Sequence, residues 1–294
     1  MPTAIDTRGL TKHYGCVAAL DDLSLSVEAG EIFGFLGPNG AGKTTTIRLL
    51  LGLIAPTAGT AAVLGRDLRA AGAGWRAEVG YLPGELALWP SLTGARTLER
   101  LARLSGRRAA WRGELVERLQ LDPADLQRRV GTYSDGMKQK VGIVQALQCA
   151  PRLALLDEPT KGLDPLVQEA FYGLIVDLAA RGTTVFFSSH VLPEVERVCT
   201  RVAMLRGGRL ASLGAVDALR AALPRRVVAT FGRDVETAPW TAWGALVGVS
   251  ARRVELLVEP ARVPALVAHL ASLPLADLIV EAPGLEDAFR ERYR

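Results

Sequence analysis

Cysteine, histidine and lysine are scarce in this 294-residue chain. Its three cysteines, Cys16, Cys149 and Cys199, are odd in number and far apart, with no Cys-x-x-Cys pair and few histidines to join them. That excludes a disulfide frame and a zinc site, and reads as reduced thiols in a cytosolic protein. Long hydrophobic runs are also missing. The most apolar stretch, VPALVAHLASLPLADLIV at 263–280, is broken by two prolines, a histidine and an aspartate, so it cannot span a bilayer. The first residues, MPTAIDTRGLTKHYG, have no basic segment followed by an apolar run, and nothing suggests secretion. Any membrane role must be played through a partner.

Because lysine is scarce, the formal charge of +4 rests almost wholly on arginine, and the arginines are spread along the chain. A nucleic-acid partner is not expected from that distribution. Apolar residues at 49 % and charged residues at 22 % exclude a disordered chain. The length allows one sizeable domain plus a smaller one.

Strand and helix patterns alternate through the first two-thirds, which predicts an α/β fold with a largely parallel sheet flanked by helices. EIFGFLG (31–37), RLALLD (152–157) and TTVFFSS (183–189) are short continuous apolar runs, as strands buried on both faces require. TTTIRLLLGLI after the first has helical spacing. Between them RTLERLARL, WRGELVERLQL and GMKQKVGIVQALQ predict a helical subdomain inserted at about 86–150. After residue 218 the pattern changes. RVVATFG, RVELLVE and LADLIVE read as strands there, and ARVPALVAHLASL and GLEDAFRERYR as helices, giving a small accessory α+β domain over 219–294.

The strongest chemical signal is GPNGAGKTT: Gly37, Pro38, Asn39, Gly40, Ala41, Gly42, Lys43, Thr44 and Thr45. It fits the phosphate-loop pattern and sits between a strand and a helix, as that motif demands. The glycines let backbone amides converge on a phosphate, and the helix adds its positive end. Lys43 would reach the β- and γ-phosphates, Thr44 would ligate Mg²⁺, and Thr45 is a candidate for the α-phosphate. LALLDEP (153–159) is a buried strand ending in two acids. Asp157 is placed to hold Mg²⁺ and Glu158 to polarise an attacking water. A strand ending in Asp-Glu is by itself more often a capped turn; the phosphate loop shifts that balance. His190, closing SSH, falls at another strand's carboxyl end, where ligands of α/β sheets bind.

One stretch, TYSDGMKQKV (132–141), is not explained by a nucleotide hydrolase alone, because Gly136 weakens a helix start that Ser134 caps. The order GPNGAGKTT, YSDGMKQKV, LALLDEPTKGLD, SSH resembles the ATP-binding subunit of ABC transporters. That resemblance covers residues 5–218 and implies a P-loop ATPase that binds ATP and Mg²⁺. It makes Ser134 and Gly136 part of the signature that caps the nucleotide held by a second ATP-binding subunit. The signature departs from the family's Leu-Ser-Gly-Gly-Gln at Tyr133, Asp135 and Met137. The resemblance also implies that Tyr14 stacks on adenine and that Gly162, Leu163 and Asp164 form the loop crossing the dimer, with Asp164 the contact. Gly84, beside Glu85, stands where the family has a glutamine. Leu88 and Trp89 read either as packing or as a groove for a separate membrane-spanning permease subunit.

YSDGMKQK, SSHVLPEVERVC and GLEDAFRERYR are most similar to ATPases of the ABC-2, daunorubicin-resistance-like export type. The implied protein is peripheral on the cytoplasmic face of the cell membrane and works as a homodimer, exporting a drug, lipid-like or other small hydrophobic compound. Two alternatives remain at this stage: a soluble ABC ATPase acting on nucleic acid or the ribosome, and the ATPase of an importer.

Overall fold

The structure, a computed structural model, describes residues 2–281 apart from 71, 222 and 236–238. The chain divides into two compact units, Met1–Gly214 and Ala215–Arg294. The first begins with strands β1 (Thr3–Tyr14), β2 (Val17–Glu28) and β3 (Ile32–Leu36), then helix α1 (Lys43–Leu50) and strands β4 (Ala58–Val63), β5 (Arg66–Asp67) and β6 (Val79–Leu82). Helices α2 (Gly94–Ser105), α3 (Arg112–Arg118), α4 (Pro123–Leu126) and α5 (Asp135–Leu147) follow. The chain then alternates: β7 (Leu153–Asp157), α6 (Pro165–Ala180), β8 (Thr184–Ser189), α7 (Leu192–Val198), β9 (Arg201–Arg206) and β10 (Arg209–Ala215).

The central sheet has the order β10-β9-β3-β8-β7-β6, and β3, β8, β9, β7 and β6 pair in parallel. Every residue of β3, β7 and β8 is buried, because such a sheet is covered on both faces. Phe33 and Phe35 of β3 pack on Phe186 of β8, with ring centroids 5.8 and 4.9 Å apart. Parallel pairing sends the carboxyl ends of β3, β7 and β8 to one edge of the sheet. The phosphate loop, the Asp157-Glu158 pair and His190 therefore leave the sheet side by side.

A second sheet, β2-β1-β4-β5, is antiparallel and was not anticipated from the continuous apolar runs. Its signal is alternation: Leu23, Leu25 and Val27 of β2 point inward while their neighbours are exposed. With Ile5 and Val63 they share one core with Phe33, Phe35 and with Ile47 and Leu50 of α1. The helix carrying the phosphate loop is thus held between two sheets.

The second unit contains α8 (Val216–Ala221), β11 (Arg225–Phe231), β12 (Ala245–Ser250), β13 (Arg253–Val258), α9 (Val263–Ala271) and β14 (Leu275–Glu281). Its antiparallel sheet, β12-β13-β11-β14, has a core of Val227, Phe231, Trp240, Leu256, Leu266 and Leu270. RVVATFG, RVELLVE and LADLIVE become β11, β13 and β14. Strand β12 escaped the sequence reading, since all six of its residues are exposed and no buried alternation marks it. The helix expected at GLEDAFRERYR lies outside the described residues.

Candidate functional site

The loop from Gly37 to Gly42 must turn sharply between β3 and α1. Gly40 and Gly42 adopt left-handed φ values of 79° and 104°, open to glycine at little cost. A Cβ on Gly42 would also lie 2.5 Å from the Ala19 carbonyl oxygen. Gly42 caps α1 without a side chain, so the helix's first turn points its amides at the cleft with the positive end of the helix dipole behind them. Lys43 folds back across the loop. Its Nζ donates to the Gly37 carbonyl at 2.7 Å and the Pro38 carbonyl at 3.2 Å, and lies 3.9 Å from Glu158 Oε1. Only 5 % of Lys43 is exposed. That burial lowers its pKa, while the Glu158 and Asp157 charges pull it back up.

At the end of β7, Asp157 accepts a hydrogen bond from Thr44 Oγ1 at 2.7 Å through Oδ2, and a short one from Ser188 Oγ through Oδ1. Glu158 follows in a left-handed conformation, φ 49°, which a non-glycine residue holds only where its surroundings enforce it. Its amide donates to the Ser188 carbonyl at 3.1 Å. Its Oε1 lies 3.0 Å from His190 Nδ1. Lys43, Thr44, Asp157, Glu158 and His190 thus converge from α1, β7 and β8 on one place. The open cleft there, about 440 Å³, is lined by Asn39, Gly40, Ala41, Gly42, Lys43, Thr44, Thr45, Asp157 and Glu158 among others.

The signature stretch enters α5. Ser134 Oγ caps the helix by accepting from the Met137 amide at 3.3 Å. Asp135 turns to solvent and pairs with Lys138 at 3.0 Å. Gln139, further along α5, donates to the Pro159 carbonyl at 2.8 Å and the Glu158 carbonyl at 3.3 Å. Asp164 caps α6, accepting from the Val167 amide at 3.0 Å. Ser134, Gly136 and Asp164 do not line the cleft that holds Lys43.

A family model described as ABC transporter matches residues 20–161. An uncharacterized ABC transporter ATP-binding protein of Nostoc sp. is 42 % identical over 230 residues, 74 % of this chain and 68 % of its own length. The chain belongs to the ABC transporter ATP-binding family. Nod factor export ATP-binding protein I of Burkholderia lata is 37 % identical over 243 residues, covering 81 % of this chain and 80 % of its own. A solved structure of an ATP binding subunit of an ABC transporter superposes with a TM-score of 0.69 at 32 % identity, covering 74 % of this chain and 92 % of its own.

Gly84, just after β6, brings backbone close to Asp157: a Cβ there would lie 3.3 Å from Asp157 Oδ2. Glu85 beside it lines the same cleft. Tyr14 ends β1 at 49 % exposure with Lys12 Nζ 5.1 Å from its ring centre, and is not in the cleft's lining. Leu88 and Trp89 line a second groove of about 340 Å³ with Leu86 and Leu101, which adjoins the cleft at Tyr81 and Pro83, and the Arg100 guanidinium sits 5.0 Å from the Trp89 ring centre. Sequence reading missed Ser188, Gln139 and the cleft-lining Arg48 and Lys161. For Ser188 the signal was present in SSH. Gln139 could not be read, because its partners lie twenty residues away across the fold. Among the described residues, no helix is long and apolar enough to cross a membrane.

Proposed function

We propose that this ABC ATPase powers an exporter, hydrolysing ATP as a dimer of identical chains on the cytoplasmic face of the membrane beside a separate permease subunit. The convergence of Lys43, Thr44, Asp157, Glu158 and His190 is the observation that carries this reading. Lys43 binds the β- and γ-phosphates, and Gly37, Pro38, Asn39, Gly40, Ala41, Gly42 and Thr45 complete the loop that wraps the polyphosphate. Glu158 orients and polarises the attacking water, and His190, 3.0 Å from its carboxylate, steadies that water and the γ-phosphate.

The oxygen donors Thr44 Oγ1 and Asp157 Oδ2, 2.7 Å apart, fit Mg²⁺, which takes few protein ligands and keeps its waters and substrate phosphates. Bound there, Mg²⁺ would neutralise charge on the β- and γ-phosphates.

Ser134, Gly136 and Asp164 lie outside their own chain's cleft, which supports a role in closing the partner's. Tyr14, exposed on the rim of the fold, supplies an aromatic face for adenine. The export direction rests on relatives named for it, including the Nod factor export protein, and the cargo class is a drug, lipid-like or other small hydrophobic compound. The unit Met1–Gly214 serves as the ATP-binding domain and the unit from Ala215 as an accessory one, a boundary four residues before the 218 expected from the sequence.

The test is Glu158→Gln. Turnover should fall about 10²- to 10⁴-fold, the usual weight of a general base, while ATP still binds and holds the chains together as a dimer. Near-native hydrolysis would remove Glu158 from the role.

A further inference from the structure

Helix α7 carries an acid that no motif claims. Glu194 accepts a hydrogen bond from Thr160 Oγ1 at 2.6 Å through one oxygen and from Ser189 Oγ at 2.7 Å through the other. Burial, together with the charge of that carboxylate, raises the Tyr172 phenol above its ordinary pKa. A carboxylate accepts through both oxygens, so the Thr160 and Ser189 hydroxyls donate to it and fix its direction.

Both hydroxyls belong to the segments that present the hydrolytic pair. Thr160 lies two residues beyond Glu158, in the turn leaving β7. Ser189, the last residue of β8, immediately precedes His190, and its Oγ also accepts the Val191 amide at 2.9 Å, so both neighbours of His190 are pinned by one side chain. Glu158 holds a left-handed backbone, and the His190 ring, 48 % exposed, touches Glu158 as its hydrogen-bond partner among the described residues. Nothing along a single strand fixes the 3.0 Å between those two side chains. The ends of β7 and β8 are tied by the Glu158 amide to the Ser188 carbonyl and by Ser188 Oγ to Asp157, and the Glu194 bridge adds a tie just beyond them, on the far side of the two side chains' own positions in sequence.

We propose that Glu194 is a positioning residue that sets the Glu158–His190 geometry by tying the two segments together through Thr160 and Ser189. The proposal rests on the hydrolytic role assigned to Glu158 and His190. Neither Glu194 nor its hydroxyl partners line the cleft around the phosphate loop, so substrate binding should be spared while the chemical step suffers. A misplacement of about 1 Å in a catalytic group is worth up to about 10²-fold in rate.

The experiment measures steady-state ATP turnover and thermal unfolding of the full chain. Glu194→Ala should lower kcat by about 10-fold or more with KM for ATP within about twofold of native. Glu194→Gln keeps an oxygen for one hydroxyl and an N–H for the other, and should restore kcat to within about threefold of native. Should Glu194→Ala fail to fold, Thr160→Val removes one link alone and should slow kcat by a few-fold. A folded Glu194→Ala or Thr160→Val with native kcat overturns the proposal. So does a Gln variant as slow as Ala, or a loss in which KM and melting temperature move together with kcat. Glu158→Gln, run alongside, separates the two readings: if it hydrolyses at the native rate the site assignment fails, whereas a slow Glu158→Gln beside a native-rate Glu194→Ala sinks the positioning role alone.

Discussion

Gly136 and the Gly162 carbonyl approach so closely that a Cβ on Gly136 would stand 2.8 Å from that oxygen. The glycine in Ser-Asp-Gly is therefore required by the chain's own fold: it lets the start of α5 abut the segment that follows Glu158. Gln139 fastens the same contact one turn later through the Glu158 and Pro159 carbonyls. The stretch proposed to meet another subunit is thus braced by the segment that follows Glu158 in its own chain.

Gly136→Ala should then destabilise the isolated chain by about 1–3 kcal/mol, the range for forcing an extra carbon into a packed contact. Denaturant unfolding checks this. Asp135→Ala is the matched control. Its side chain is 95 % exposed and meets Lys138 at the surface, so the unfolding midpoint should stay where it is. A Gly136→Ala chain as stable as native would mean the loop at Gly162 yields freely, and the brace does not exist.

Asp164 has two candidate duties that substitution can separate. Its Oδ1 caps α6 through the Val167 amide, and Asn caps nearly as well as Asp. Asp164→Ala should cost about 0.5–2 kcal/mol of stability, whereas Asp164→Asn should cost little. If the carboxylate also meets the partner subunit, Asp164→Asn slows ATP turnover while melting like native. Equal turnover in Asn and native would leave the cap as the whole of its role.

How far the sequence discloses this fold depends on whether the determinant is local. The phosphate loop is contiguous and enforced by backbone conformation at Gly40 and Gly42, so its residues and their flanking elements are readable directly. Strands β3, β7 and β8 announce themselves because burial on both faces leaves unbroken apolar runs. The antiparallel sheet around β1 and β2 buries one face, and β12 buries none, so the same rule passes over them. Gly136 can be read as a weak helix start, but its contact with Gly162 joins positions that only the fold brings together. Glu194 is the extreme case. In VLPEVERV it looks like a solvated helix residue, and its partners sit on two other segments.

Trp89 offers a test of coupling as distinct from chemistry. It is 38 % exposed on the groove that adjoins the nucleotide cleft at Tyr81 and Pro83, and Arg100 packs on its ring. A permease helix laid in that groove would bury the ring; an acid there would present an unpaired charge to it. Trp89→Asp should leave ATP hydrolysis by the isolated chain intact and abolish transport by the assembled complex. Loss of both activities together would instead indicate that the groove is internal packing.

Lys43 gives the site a pH signature whose sign follows from its burial. Desolvation holds its pKa below the ordinary lysine value, and the nearby Glu158 and Asp157 charges offset that only in part. Between the lowered value and the ordinary one near about 10.4, the unfolded chain binds more protons at this lysine than the folded chain. Its contribution to stability therefore rises with pH across that window, the reverse of a lysine that gains a partner on folding. A triphosphate against Nζ favours the ammonium and raises its pKa, so in the same alkaline window ATP binding takes up a proton. ATP affinity should fall as pH rises through it, and calorimetry in two buffers of different ionisation enthalpy should register the uptake. Lys43→Met should bind ATP weakly at every pH, with both the uptake and the slope of affinity removed. If the native chain instead shows an affinity independent of pH across that window, the Lys43 ammonium is not being discharged there, and burial does not control its charge.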